Sequence, residues 1–160
     1  MPTGYVRGRA RIETQFLPQE QEFEALKSAA ENLPLFWAPN FSFGMAILVH
    51  ALKTLSPLLQ KKFTPQIEET HHVHKKDKPS GTALACAKAV EATYATPTPI
   101  ESFRVEEVIG DHLVSFSSQD EKLTFRHEGL SRDAFALGAL QAAKFLVDKE
   151  PGLYSMEDLL

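Results

Sequence analysis

Cysteine is almost absent from this chain. Cys86 is the single one in 160 residues, which excludes an internal disulfide framework and fits a reducing compartment. Long hydrophobic runs are missing as well. The longest apolar stretch, from Met45 to Leu59, is broken by His50, Lys53, Thr54, Ser56 and Pro57, well short of the roughly 20 apolar residues of a membrane span. There is no basic excess: 17 Lys and Arg stand against 21 Asp and Glu, for a net charge of −4, so nothing points to nucleic acid. The N-terminus carries Arg7, Arg9 and Arg11 but no apolar signal core, and Glu13 and Glu20 follow soon after, which speaks against a transit peptide. There is no internal repeat and no low-complexity tract. These absences exclude membrane and nucleic-acid classes and leave a cytoplasmic chain as the expectation.

What is present is ordinary globular composition, 43% hydrophobic and 24% charged. A chain of this size buries about 68–70% of the surface its unfolded form exposes, enough for one domain with a real core. Residues 1–17 show no clear period and read as an atypical junction, so the domain is placed at 18–160. From Pro18 the spacing of Phe23, Leu26 and Ala30 predicts a helix, with Pro34 beyond its end. Leu35 to Ala38 reads as a short buried strand. Gly44 to Leu59 reads as a largely buried helix whose face is Ile47, Leu48, Ala51, Leu52 and Leu55. Gln66 to His72 is a strand. Pro79 to Thr82 opens a helix running to about Ala95 on a narrow face of Leu84, Ala87 and Val90. Three alternating stretches then predict strands, around Phe103 and Val105, Val114 and Phe116, and Leu123, Phe125 and His127, with turns at Gly110-Asp111 and Gln119-Asp120. Ser131 caps a last helix from about Arg132 to Lys149, with Phe135, Ala139, Ala142 and Leu146 on one side. The order αβαβαβββα is an α+β pattern: a mixed β-sheet with helices packed on one face.

The chemistry is concentrated between Glu68 and Ala83. His71, His72 and His74 fall within four positions, followed by Lys75 and Lys76, and Ser80-Gly81-Thr82 opens a helix. Free backbone N–H groups at a helix start, with two hydroxyls beside them, make an anion site. Gly81 lets a ligand approach the backbone. Lys75 and the histidines add positive charge, which suits a small substrate with carboxylate groups. Blander readings exist for each part. Ser80 or Thr82 is a plain helix cap in many proteins, and Lys75 to Lys78 is a solvated loop. The histidine run lacks an i, i+4 pair and has no cysteine nearby, so no metal site is assigned.

The same residues carry a family resemblance. Glu69, His71, His72, Lys75, Asp77, Pro79, Ser80, Gly81, Thr82 and Ala83 fill every fixed position of Glu-x-His-His-x-x-Lys-x-Asp-x-Pro-Ser-Gly-Thr-Ala, the signature of dihydrodipicolinate reductases. Ala38-Pro39-Asn40-Phe41-Ser42 resembles the family's Ala-Pro-Asn-x-Ser segment. Gly110-Asp111-His112 resembles its Gly-Glu/Asp-His turn, and Ser131-Arg132 with Phe135, Ala136, Gly138 and Ala139 resembles its last helix. The similarity spans about residues 17–160. It implies reduction of 4-hydroxy-tetrahydrodipicolinate with NADH or NADPH, in the diaminopimelate route to lysine. By resemblance His71 is the acid/base residue and Lys75 the proton donor. His72, Ser80, Gly81 and Thr82 clamp the substrate carboxylate, and Ala38, Pro39, Asn40 and Phe41 form the cofactor-side wall. A homotetramer joined through the sheet is implied too. Asp77 is expected to orient the loop or to pair with a lysine.

Two features depart from the family. No Gly-x-Gly-x-x-Gly or Gly-x-x-Gly-x-x-Gly turn is present, and Gly4 and Gly8 sit in no strand-turn-helix context. Arg11 to Phe16 stands where the family carries Gly-Thr-Thr-Gly. The chain therefore reads as the substrate-binding and oligomerisation half, its nucleotide-binding partner supplied separately or lost. The link from Pro97 to Glu106 is also shorter than the family's arginine- and glycine-containing loop. The alternatives are a non-catalytic oligomerisation or binding module and a truncated relic.

Overall fold

A computed structural model describes residues 20–160. The junction expected at 1–17, and Pro18 at the predicted helix start, lie outside the described residues. The helices are α1 (Glu20–Ala30), α2 (Phe43–Leu59), α3 (Gly81–Glu91) and α4 (Asp133–Leu146). The strands are β1 (Pro34–Phe36), β2 (Thr64–His71), β3 (Ile100–Arg104), β4 (Asp111–Ser117), β5 (Lys122–Glu128) and β6 (Gly152–Tyr154), and a 3-10 turn closes the chain at Met156–Leu159. The α+β class holds. No helix among the described residues is long and apolar enough to cross a membrane.

The main sheet has the order β3-β2-β4-β5, with β2 parallel to β3 and antiparallel to β4. Strict alternation along β2 buries Pro65, Ile67, Glu69 and His71 and leaves Thr64, Gln66, Glu68 and Thr70 less covered. Register sets Ile67 opposite Val114, and Val114 opposite Phe125. Helices α2 and α3 cover this face with Met45, Leu48, Leu52, Ala83, Cys86, Ala87 and Val90. The small residues of α3 let it lie close to the sheet. The burial of Cys86 pushes its thiol up to about 12, so it serves as a small core residue.

Several expectations need correction. The short strand after α1 does not enter the main sheet. It pairs in parallel with β6, which has no sequence signal of its own because three residues cannot display a period. Its residues are half-buried rather than buried, and Ala38 lies beyond its end. Around this pair a second core gathers Ala38, Phe41, Ala46, Ala142 and Met156. Ile47 and Leu84, expected on core faces, are exposed; the faces are rotated toward Met45 and Ala46 on α2 and toward Ala83 and Cys86 on α3. Helix α3 stops at Glu91, four residues early, and α4 ends at Leu146. Ser131 does not act as the N-cap of α4; that position is Arg132, and Ser131 Oγ accepts instead from the Asp133 amide at 3.1 Å.

Candidate functional site

Two helices begin side by side, each with the same local device. Ser80 caps α3, its Oγ accepting from the Ala83 amide at 3.1 Å, and Ser42 caps α2, its Oγ accepting from the Met45 amide at 3.2 Å. Asn40 joins the two: its Nδ2 donates to Thr82 Oγ1 at 3.1 Å, while its Oδ1 accepts from the Ser42 amide at 2.7 Å. The segment from Ala38 to Phe41 is thereby fixed against Ser80-Gly81-Thr82. Ala38 and Phe41 spend their side chains in the second core, whereas Pro39 and Asn40 are only partly buried. Of the expected cofactor-side wall, Pro39, Asn40 and backbone are what can face a ligand.

Lys75 sits in the loop between β2 and α3. Its Nζ pairs with Asp77 Oδ1 at 2.9 Å. Burial opposes the charge on Asp77, but Lys75 and the backbone N–H groups of Asp77 and Gly81 prevail and hold its carboxyl below the usual range. A carboxylate of the chain itself thus rests between the Lys75 ammonium and the start of α3. The pairing expected of Asp77 is the one observed.

The three clustered histidines part ways. Alternation along β2 turns His71 inward, His72 lies just past the strand end and is half-buried, and His74 lies on the turn, exposed and 4.0 Å from Glu107. The His72 ring is lowered from its ordinary pKa, by burial first and then by the charges of Arg132 and His71. His71 Nδ1 hydrogen-bonds Glu69 Oε2. Glu69 is fully buried, and its other oxygen accepts from Arg104 Nη1 at 3.0 Å and from the Ser80 amide at 3.4 Å. Burial alone would raise this carboxyl; the hydrogen bonds from His71 and Arg104 outweigh it and hold it at about 2.

Register brings two further histidines beside the motif, His112 opposite Glu69 and His127 opposite His112. The His71 and His112 rings meet edge to face, centroids 5.0 Å apart. His112 Nε2 contacts Ser80 Oγ at 3.3 Å, and His127 Nε2 contacts Ser42 Oγ at 3.0 Å. Each serine cap is therefore tied to the sheet by a histidine. Sequence reasoning assigned no role to Arg104, His112 or His127. The signal was there: His112 and His127 alternate in phase with Val114 and Phe125, polar residues on otherwise apolar stripes.

Glu69, His71 and His112 bring ligand-type atoms within 4.8 Å of one another. The Glu69 carboxylate is already engaged by His71 and by the Arg104 guanidinium, and a fixed positive charge at that distance opposes a dication.

Burial, then the nearby His71, pushes His112 down to about 3. The unfolded chain takes up this proton below its ordinary value of 6.5, and the folded chain resists until about 3. His112 thus contributes stability that is complete above 6.5 and is lost as pH falls toward 3. Glu69 adds a loss in the same direction between 4.5 and about 2. The urea midpoint is expected to fall between about pH 7 and about pH 5. In His112→Gln the slope over that interval flattens; an equal slope in the variant would mean that other groups set it.

Residues 44–160 match the family described as "Dihydrodipicolinate reductase, C-terminus". The chain belongs to the dihydrodipicolinate reductase family. Among its relatives, 4-hydroxy-tetrahydrodipicolinate reductase of Xylella fastidiosa is 41% identical over 140 residues, covering 88% of this chain and 58% of that protein. The Bdellovibrio bacteriovorus reductase is 41% identical over 142 residues, covering 88% and 61%. That of Xanthomonas euvesicatoria is 38% identical over 154 residues, covering 96% and 64%. The chain therefore spans under two thirds of these relatives. The dipicolinate-bound reductase from Paenisporosarcina sp. TG-14 shares the fold, with a TM-score of 0.72 at 21% identity, over 89% of this chain and 61% of that one.

Proposed function

We propose that this chain is the substrate-binding and acid/base part of a 4-hydroxy-tetrahydrodipicolinate reductase, acting in the cytoplasm on the diaminopimelate route to lysine. The observation that carries the reading is the Asp77 carboxylate at the mouth of α3, between Lys75 and the Gly81 amide. Donors that already hold one carboxylate suit a dicarboxylate ligand, and the fold relative was solved with dipicolinate.

When bound, NADH or NADPH would supply hydride to a ring carbon. The ring nitrogen then needs a proton, and this chain's side chains provide for it. With Nδ1 committed to Glu69, His71 exchanges protons through Nε2. Lys75 offsets negative charge developing on the ring and donates a proton. Gly81 and Thr82 present an amide and a hydroxyl to the substrate carboxylate, with Ser80 holding the helix start and His72 just beyond the end of β2. Pro39 and Asn40 suit contact with the edge of a nicotinamide. No glycine-rich turn for the rest of a dinucleotide is found in the 160 residues, so that part is assigned to other chain, covalent or separate.

Titration calorimetry with 2,6-pyridinedicarboxylate tests the reading. Binding is expected, weakened in Lys75→Ala by about tenfold or more, since a hydrogen bond to a charged group contributes about 1.5–3 kcal/mol. Thr82→Ala weakens it less. Absence of binding to the folded chain, with and without NADH, would overturn the proposal.

Assembly belongs to the same reading. The sheet face turned away from α2 and α3 presents Glu68, Thr70, Glu101 and Phe103, none of them fully buried, and Phe103 is 43% exposed. A homotetramer formed through this face covers it. If the chain sediments as an oligomer yet ignores the dicarboxylate, the assembly-module reading takes over.

A further inference from the structure

The two candidate catalytic side chains lie on different segments, His71 at the end of β2 and Lys75 in the loop beyond it. One buried ion pair reaches both. Glu69 is fully buried and holds the His71 ring with one oxygen and Arg104 Nη1 with the other. Arg104 in turn donates Nε to the Lys75 carbonyl at 3.1 Å, Nη2 to the Asp77 carbonyl, and Nη1 also to its own neighbour, the Phe103 carbonyl, at 2.6 Å. The guanidinium fork is thus spent on the loop that carries Lys75, and its charge is balanced by the carboxylate that fixes His71. A Cβ added at Gly110 would meet His71 Nε2 at 3.1 Å, so glycine at that position keeps the space beside Nε2 clear.

We infer that Glu69 and Arg104 are positioning residues for this site: Glu69 holds His71 with Nδ1–H toward it and Nε2 free, and Arg104, braced on Glu69, sets the Lys75–Asp77 loop. The inference rests on the proposed reductase reading for the use made of His71 and Lys75, but the geometry it asserts is measurable without any substrate.

Two variants of the full chain separate the halves. In Glu69→Gln the amide has one oxygen for the three donors that Glu69 accepts, the His71 ring, the Arg104 guanidinium and the Ser80 amide. Arg104, always charged, takes it, which leaves the amide NH2 facing His71. Long-range proton–nitrogen NMR on 15N-histidine protein is expected to show His71 protonated at Nδ1 in the parent and at Nε2 in the variant. A merely structural glutamate would not choose the tautomer. The Nε2–H form in the parent, or no change in the variant, would overturn the Glu69 half.

Arg104→Lys keeps the charge beside Glu69 but cannot span both loop carbonyls. It should leave the His71 tautomer alone. The Lys75 amide, which donates to the His72 carbonyl at 3.1 Å, should exchange its hydrogen faster, and 2,6-pyridinedicarboxylate should bind roughly tenfold or more weakly, in line with the penalty for a displaced catalytic group. Unchanged exchange would overturn the Arg104 half. If the parent does not bind 2,6-pyridinedicarboxylate, the functional reading fails, while the tautomer and exchange measurements still decide this one. If Glu69→Gln does not fold, the parent tautomer and Arg104→Lys remain decisive.

Discussion

Glu69→Ala is expected to cost about 3–5 kcal/mol of stability, the range for removing one partner of a buried pair. The carboxylate has no exposed surface and takes up Arg104, His71 and the Ser80 amide together. Truncation leaves the Arg104 guanidinium beside an empty volume, with its carbonyl acceptors but no counter-charge. A domain of ordinary stability, about 5–15 kcal/mol, comes close to unfolding after such a loss. Urea denaturation followed by circular dichroism gives the number. Arg104→Met in the same background is expected to recover part of it, because the unpaired charge is removed along with the pair. A cost below about 1 kcal/mol would place the pair with solvated surface pairs.

Gly138→Ala should also be severe, although helix propensity alone predicts the opposite. Replacing glycine inside a helix by alanine ordinarily stabilises by about 0.5–1 kcal/mol. Gly138 lies within α4 and is buried, and a Cβ built there would fall 1.7 Å from the Phe41 carbonyl oxygen. The obstacle is backbone, so no side-chain rotation relieves it. Either α4 withdraws, opening the core of Ala38, Phe41 and Ala142, or the Ala38 to Phe41 segment moves and pulls Asn40 from Thr82. Overpacking of this kind costs about 1–3 kcal/mol and sometimes more, and the upper end is expected. Thermal denaturation measures the loss. Weaker 2,6-pyridinedicarboxylate binding in a variant that still folds would show that the second route was taken. A more stable variant would mean that α4 does not press on Phe41.

The division between what could be read and what could not follows the range of the interactions. The segment from Glu69 to Ala83 was legible because its parts act locally. Ser80 caps the helix that follows it, and Lys75 pairs with Asp77 two residues on. The helices and long strands were legible from period. Their faces were rotated by a residue or so, because side chains of similar apolarity flank each stripe and only the neighbour decides which is covered, as Ile47 and Leu84 show. The strand Gly152–Tyr154 was not legible: it exists only because Pro34 to Phe36 offers it a parallel edge.

The sequence by itself determined the family, the α+β class and the Ser80-capped start of α3, since each depends on residue type and short spacing. Tertiary structure alone decided that Glu69 and His71 are buried against Arg104 and His112, and that His112 and His127 stand beside the serine caps. It also decided that Arg104 ties the Glu69 carboxylate, which holds His71, to the Lys75 loop. The physical reason is strand register. Hydrogen-bonded pairing places residues from β2, β3, β4 and β5 on one row, and no local pattern in the chain encodes which strands will be neighbours.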